Sequence, residues 1–169
     1  MGIAFQTSLD YHVDIQNIGC EYLVVAAMVA HSTNIAVSTK LINSTWVQLV
    51  DEHLADNKLG LHSALSYYRA FDLLFDGVYR PDWSGDQVGQ IVDGKIKYWG
   101  WVSKEHFNYV VRRMESRSGL KHSVLLDQNM VVIYDPFPEA YARTPIGLFL
   151  FHVADHPLHS VYSDKEIGR

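Results

Sequence analysis

Gly19-Cys20-Glu21-Tyr22-Leu23-Val24-Val25-Ala26-Ala27-Met28-Val29-Ala30 is the stretch on which the fold turns, because from Tyr22 to Ala30 no charged side chain interrupts it. A segment that is apolar nearly all round has no face to offer water, so it is a buried helix or a buried strand. Its length and its Ala26-Ala27-Met28 centre predict a helix, against the β-branched pair Val24-Val25. The run is about half the ~20 residues that a membrane-crossing helix needs, so the helix is expected inside a protein core and no membrane partner is expected.

A chain of 169 residues with 48% hydrophobic, 12% aromatic and 20% charged residues can supply that core. The length suits one domain over 1–169, and no repeat or linker-like run divides it. Fourteen Lys and Arg stand against nineteen Asp and Glu, a net charge of −5, which provides no overall field to gather phosphates. Nucleic acid is therefore not an expected partner. The first basic residue is Lys40, so the start lacks the positive region of a secretory signal, and Gln6 breaks a myristoylation pattern. The chain reads as cytoplasmic. One cysteine, Cys20, excludes an intramolecular disulfide and a multi-thiolate zinc site, and no cofactor is expected.

Downstream of the apolar run, Thr45-Trp46-Val47-Gln48 has the form of a capping box and predicts a helix over 46–56. The same Thr45 closes an Asn43-Ser44-Thr45 glycosylation acceptor, for which capping is the preferred use. A helix from His62 to Phe75 follows, stopped by Gly77. The segment from Gly77 to Gly89 reads as an exposed acidic loop. Asp93-Gly94 predicts a hairpin between Gln90-Ile91-Val92 and Lys95–Trp99. Ser103 is placed as the cap of a helix through Phe107, Val110, Val111 and Met114, closed by Gly119. Ser123-Val124-Leu125-Leu126 and Met130–Tyr134 are expected to pair across Asp127-Gln128-Asn129, and a last strand covers Gly147 to Val153. Helices first and mostly strands after indicate α+β.

Three residues of this pattern carry chemistry. Cys20 opens the apolar helix, where unpaired amides and the helix dipole favour a thiolate. His122 opens the first strand of the late hairpin and Asp135 ends the second, so strand pairing brings the two ends level. A thiolate attacks an acyl carbon well only beside an imidazole that can take and return a proton, and an oriented imidazole needs an acceptor on its other nitrogen. The amide of Cys20 and the side chain of Gln16 are candidate donors to the oxyanion. Glu21, next to the sulfur, acts the other way by raising the thiol pKa.

The Cys at the head of the first long helix, with Gly19 before it and Gln16 upstream, then Lys121-His122-Ser123-Val124-Leu125-Leu126-Asp127 and Val131-Val132-Ile133-Tyr134-Asp135-Pro136, resembles papain-like cysteine peptidases. The nearest likeness is to the small bacterial peptidases that trim leader peptides from bacteriocins. The resemblance implies a papain-like fold, with the Cys helix packed on a C-terminal antiparallel sheet, and hydrolysis of peptide bonds through an acyl-thioester. It implies Cys20 as nucleophile, His122 as general base and acid, Asp135 as orienting residue, Gln16 as oxyanion donor, and a peptide or protein substrate. Two other functions share the pattern: a papain-like binding or inhibitory protein without turnover, and an acyltransferase with the same order of Cys, His and Asp.

Competing features are read as structural. His152, His156 and His159, with Asp155, supply zinc-type ligands, but Pro157 disrupts a shared helix face and the segment reads as polar surface. Trp83, Trp99 and Trp101 are assigned to core packing. Asp127, at odd spacing from His122 on one strand, points to the opposite face, which leaves the orienting role to Asp135.

Overall fold

A computed structural model of the chain describes residues 3–79, 99–101, 108–115, 119, 121–138 and 144–153. The apolar run is helical. Helix α1 (Val13–Ile18) turns at Gly19 into α2 (Cys20–Thr33), in which every residue from Tyr22 to Ala30 is buried. The turn is tight: a Cβ on Gly19 would sit 2.7 Å from the Ile15 carbonyl oxygen. At the other end Asn34, at φ 57°, stops α2 in the left-handed conformation that Asn tolerates.

The next helix, α3 (Thr39–Asp51), begins earlier than expected. Its cap is Ser38, whose hydroxyl accepts from the Leu41 amide at 3.1 Å, while Thr45 is buried one turn or more inside. The capping signature at Thr45 is thus superseded by a better-placed hydroxyl upstream. Asn43 lies within the same helix and its amide bridges the Asp10 carbonyl and the His12 amide. A two-residue hairpin, β1 (Ala55–Asp56) and β2 (Gly60–Leu61), leads to α4 (Ala64–Tyr79). Gly77 does not stop α4. It lies inside the helix where α4 meets α3, and a Cβ there would come 2.5 Å from Leu41 Cδ1, so its role is close approach.

The rest is sheet. Strands β3 (Trp99–Trp101), β4 (Tyr109–Glu115), β5 (Lys121–Asp127), β6 (Val132–Tyr134) and β7 (Thr144–Val153) form one antiparallel sheet in the order β3-β7-β4-β5-β6. The late hairpin and the last strand are where the sequence puts them. The helix expected through Val110, Val111 and Met114 is instead β4. That strand lies between β5 and β7 with apolar residues on both faces, so it lacks the two-residue contrast that marks a half-exposed strand. Tyr109 and Val111 join the main core with α2, whereas Val110 joins Val124 and Leu126 in a second cluster, against which Met114 and Leu150 pack.

The architecture is α+β, with α2 laid on β5 and enclosed by α1, α3 and α4. No helix among the described residues is long and apolar enough to cross a membrane. The acidic segment from Arg80 on, almost all of the Asp93-Gly94 hairpin, Trp83, Ser103, Phe107, Asp155, His156 and His159 lie outside the described residues, as do the side chains of Trp99, Trp101 and His152.

Candidate active site

Cys20 is the first residue of α2 and is partly exposed, but its sulfur is turned into the protein. The backbone amides of Ser123 and Glu21 are near enough to favour its charged form. Burial pushes the thiol up to about 12; the Glu21 carboxylate adds to this, and the two amides and the Arg113 guanidinium oppose it without prevailing. The expected helix-terminus thiolate is therefore a thiol in the resting protein, because desolvation outweighs the amides and a carboxylate stands beside them.

His122 and Asp135 are brought together. Nε2 of His122, a residue only 3% exposed, donates to Asp135 Oδ1 at 2.7 Å, and the carboxylate keeps 30% of its side chain open to solvent. The same oxygen accepts from the Phe137 amide at 3.0 Å. Pairing places these groups: His122 is the second residue of β5, and Asp135 follows directly on Tyr134, whose partner across the sheet is Leu125. Pro136, lacking an amide hydrogen, ends the pairing.

The thiol and the imidazole approach the same end of β5 from different sides. Cross-strand partners share a face, so Ser123 lies with Arg113 on the side of α2, and His122 lies with Met114 on the side of the second cluster. The ring bonds to Asp135 and not to the sulfur; among the described residues no thiol–imidazole hydrogen bond is formed.

Gln16 does not turn its amide to the thiol. Nε2 donates to the Tyr11 carbonyl at 2.8 Å, and the Gln16 carbonyl accepts from Gln6 Nε2 at 3.1 Å. Asp127 closes the β5–β6 turn, with Oδ1 accepting from the amides of Asn129 and Val131 at 2.8 and 3.0 Å. Among the described residues no group of three His, Cys, Asp or Glu side chains could hold a metal ion.

Three residues around the site escaped the sequence. Arg113 sets Nε 3.5 Å from Glu21 Oε2, Tyr67 donates its hydroxyl to the same oxygen, and the Arg113 guanidinium lies over the Phe149 ring at 5.4 Å. Burial raises the Glu21 carboxyl above its ordinary range, with Arg113 and Lys121 pulling it back. Only the Glu21 charge was legible beforehand; its partners come from a helix and from a strand that had been expected as helix. The third is Gln6, buried, whose backbone amide donates to the Pro136 carbonyl at 2.7 Å while its side chain holds α1. Against protein-family models, curated proteins and solved structures, the chain matches none.

Proposed function

We propose that the chain is a papain-like hydrolase that cleaves peptide or related amide bonds, with Cys20 as nucleophile, His122 as general base and acid, and Asp135 as the residue that orients the imidazole. The observation that carries the reading is the His122–Asp135 hydrogen bond of 2.7 Å at the end of β5, the strand on which the helix headed by Cys20 is laid. With Nε2–H given to Asp135, the lone pair of the neutral ring is on Nδ1, the nitrogen that a base step needs.

The thiol holds its proton at rest. The His122 ring lies at rest on the face of β5 opposite α2, so the proposed cycle requires the end of β5 to rearrange and carry Nδ1 to the sulfur. The proton passes from Sγ to Nδ1, and the sulfur electron pair attacks the acyl carbon. The backbone amide of Cys20, at the head of α2, receives the oxyanion, because Gln16 directs its amide to Tyr11. The imidazolium returns its proton to the leaving amine, and water activated by the same nitrogen then cleaves the thioester. A cytoplasmic setting, which keeps a lone thiol reduced, suits this chemistry.

One observation favours a second reading, a papain-like binding protein without turnover: burial and Glu21 push the thiol up to about 12. Acyl trapping separates the two. With p-nitrophenyl acetate near neutral pH, a hydrolase acquires an acetyl group on Cys20, read by mass spectrometry. The rate should fall about 100-fold or more in His122→Ala, the scale of general-base assistance. Acylation that is equally slow in the wild type and in His122→Ala would leave the binding protein as the surviving reading.

A further inference from the structure

Arg113 is a guanidinium with one of its edges unused. Nε reaches Glu21 Oε2 at 3.5 Å and Cζ lies over the Phe149 ring at 5.4 Å, while neither Nη group makes a hydrogen bond to a described residue. The side chain is 30% exposed, so this edge is held by a rigid setting of ring and carboxylate and still open to solute. The ion pair with Glu21, the residue that follows Cys20, and the register Arg113↔Ser123 on the α2 side of the sheet put the guanidinium close to the nucleophile. Lys121, on the same strand as Ser123 and opposite Glu115, adds a second cation close to Glu21.

A planar guanidinium with two parallel donors free matches a carboxylate better than any other common group, and stacking on an aromatic ring fixes the direction in which it offers them. We propose that Arg113 is the specificity-determining residue of the site, receiving a carboxylate of the acyl substrate next to the bond presented to Cys20, so that the substrates are anionic peptides or amides. This rests on the hydrolase reading for its meaning, but not for its test.

The test compares alkylation of Cys20 by iodoacetate and by iodoacetamide at one pH near 10. The two reagents meet the same thiolate fraction, so their rate ratio reports attraction of the carboxylate and is indifferent to whether His122 acts as a base. The expected result is a ratio about five- to tenfold higher in the wild type than in Arg113→Gln, the scale of a charge-assisted hydrogen bond, with Arg113→Lys between them. An unchanged ratio overturns the proposal. So does an equal fall in Lys121→Gln, which would mean a diffuse field and not a seat. Should Arg113→Gln fail to fold, the ratios in Arg113→Lys and Lys121→Gln still decide. Bromoacetyl-glycine and bromoacetyl-aspartamide, each measured against bromoacetyl-glycinamide, distinguish a chain-terminal carboxylate from an acidic side chain. An Arg113-dependent preference for either supports the assignment, and equal rates for all three overturn it. Loss of acyl trapping with the ratio intact would count against the hydrolase and not against this seat.

Discussion

Cys20 and Glu21 are adjacent in the chain, and their opposition sets the chemistry of the site. A thiol near 9 when unfolded and about 12 when folded keeps its proton more tightly in the native state. Its contribution to stability is whole below pH 9 and is lost as the pH climbs from 9 towards 12. Urea titrations should therefore show the wild type losing stability relative to Cys20→Ala across that window, with the two running parallel at pH 7. Glu21→Gln removes the charge that supports the shift and frees Arg113 to lower the thiol pKa further. Alkylation of Cys20 at a fixed pH near 9 should rise about tenfold, one unit of pKa, as read by mass spectrometry. Asp135→Ala strands the His122 Nε2–H in a nearly closed site and should cost about 1–3 kcal/mol in urea unfolding. The His122–Asp135 pair was legible because a short turn makes strand ends neighbours; the expected company of Cys20 was not met, since its helix lies on the other face of β5 from the ring. Gln16 was not legible in its actual role, since only coordinates reveal that Tyr11 captures its amide.

Among the elements, α2 was readable from its apolar run and the β5–β6 hairpin from its two aliphatic blocks, but β4 was not. Its residues Val110, Val111 and Met114 fit a helical stripe and, equally, the two faces of a doubly covered strand, and composition does not choose between them. The glycines teach a similar lesson. Gly77 looked like a stop and Gly19 like a simple prelude, yet both mark close approaches. They differ in what lies opposite. An added methyl at Gly19 meets the Ile15 backbone, whereas at Gly77 it meets the end of the Leu41 side chain, which can rotate. Gly19→Ala should destabilise by about 1–3 kcal/mol and Gly77→Ala by distinctly less, the latter helped by the helical preference of Ala. Thermal melts of the two variants check the order.

Across the molecule, the start of the chain and its second half are sewn together at Ala4. That carbonyl accepts from the hydroxyls of both Tyr11 and Tyr134, at 3.0 and 2.7 Å, and Gln6 adds its bond to Pro136. Tyr134→Phe deletes one of these bonds while leaving the ring in the core. A loss of about 1 kcal/mol is expected, without change in the packing of α2, as judged by urea midpoint and near-ultraviolet circular dichroism. The burial of α2 has a consequence for biosynthesis. The helix leaves the ribosome with its apolar surface bare, and the strands that cover it are translated almost 80 residues later. At cellular elongation rates that gap lasts roughly 4–16 s, an interval in which a nascent chain with so greasy a segment invites capture by holdase chaperones.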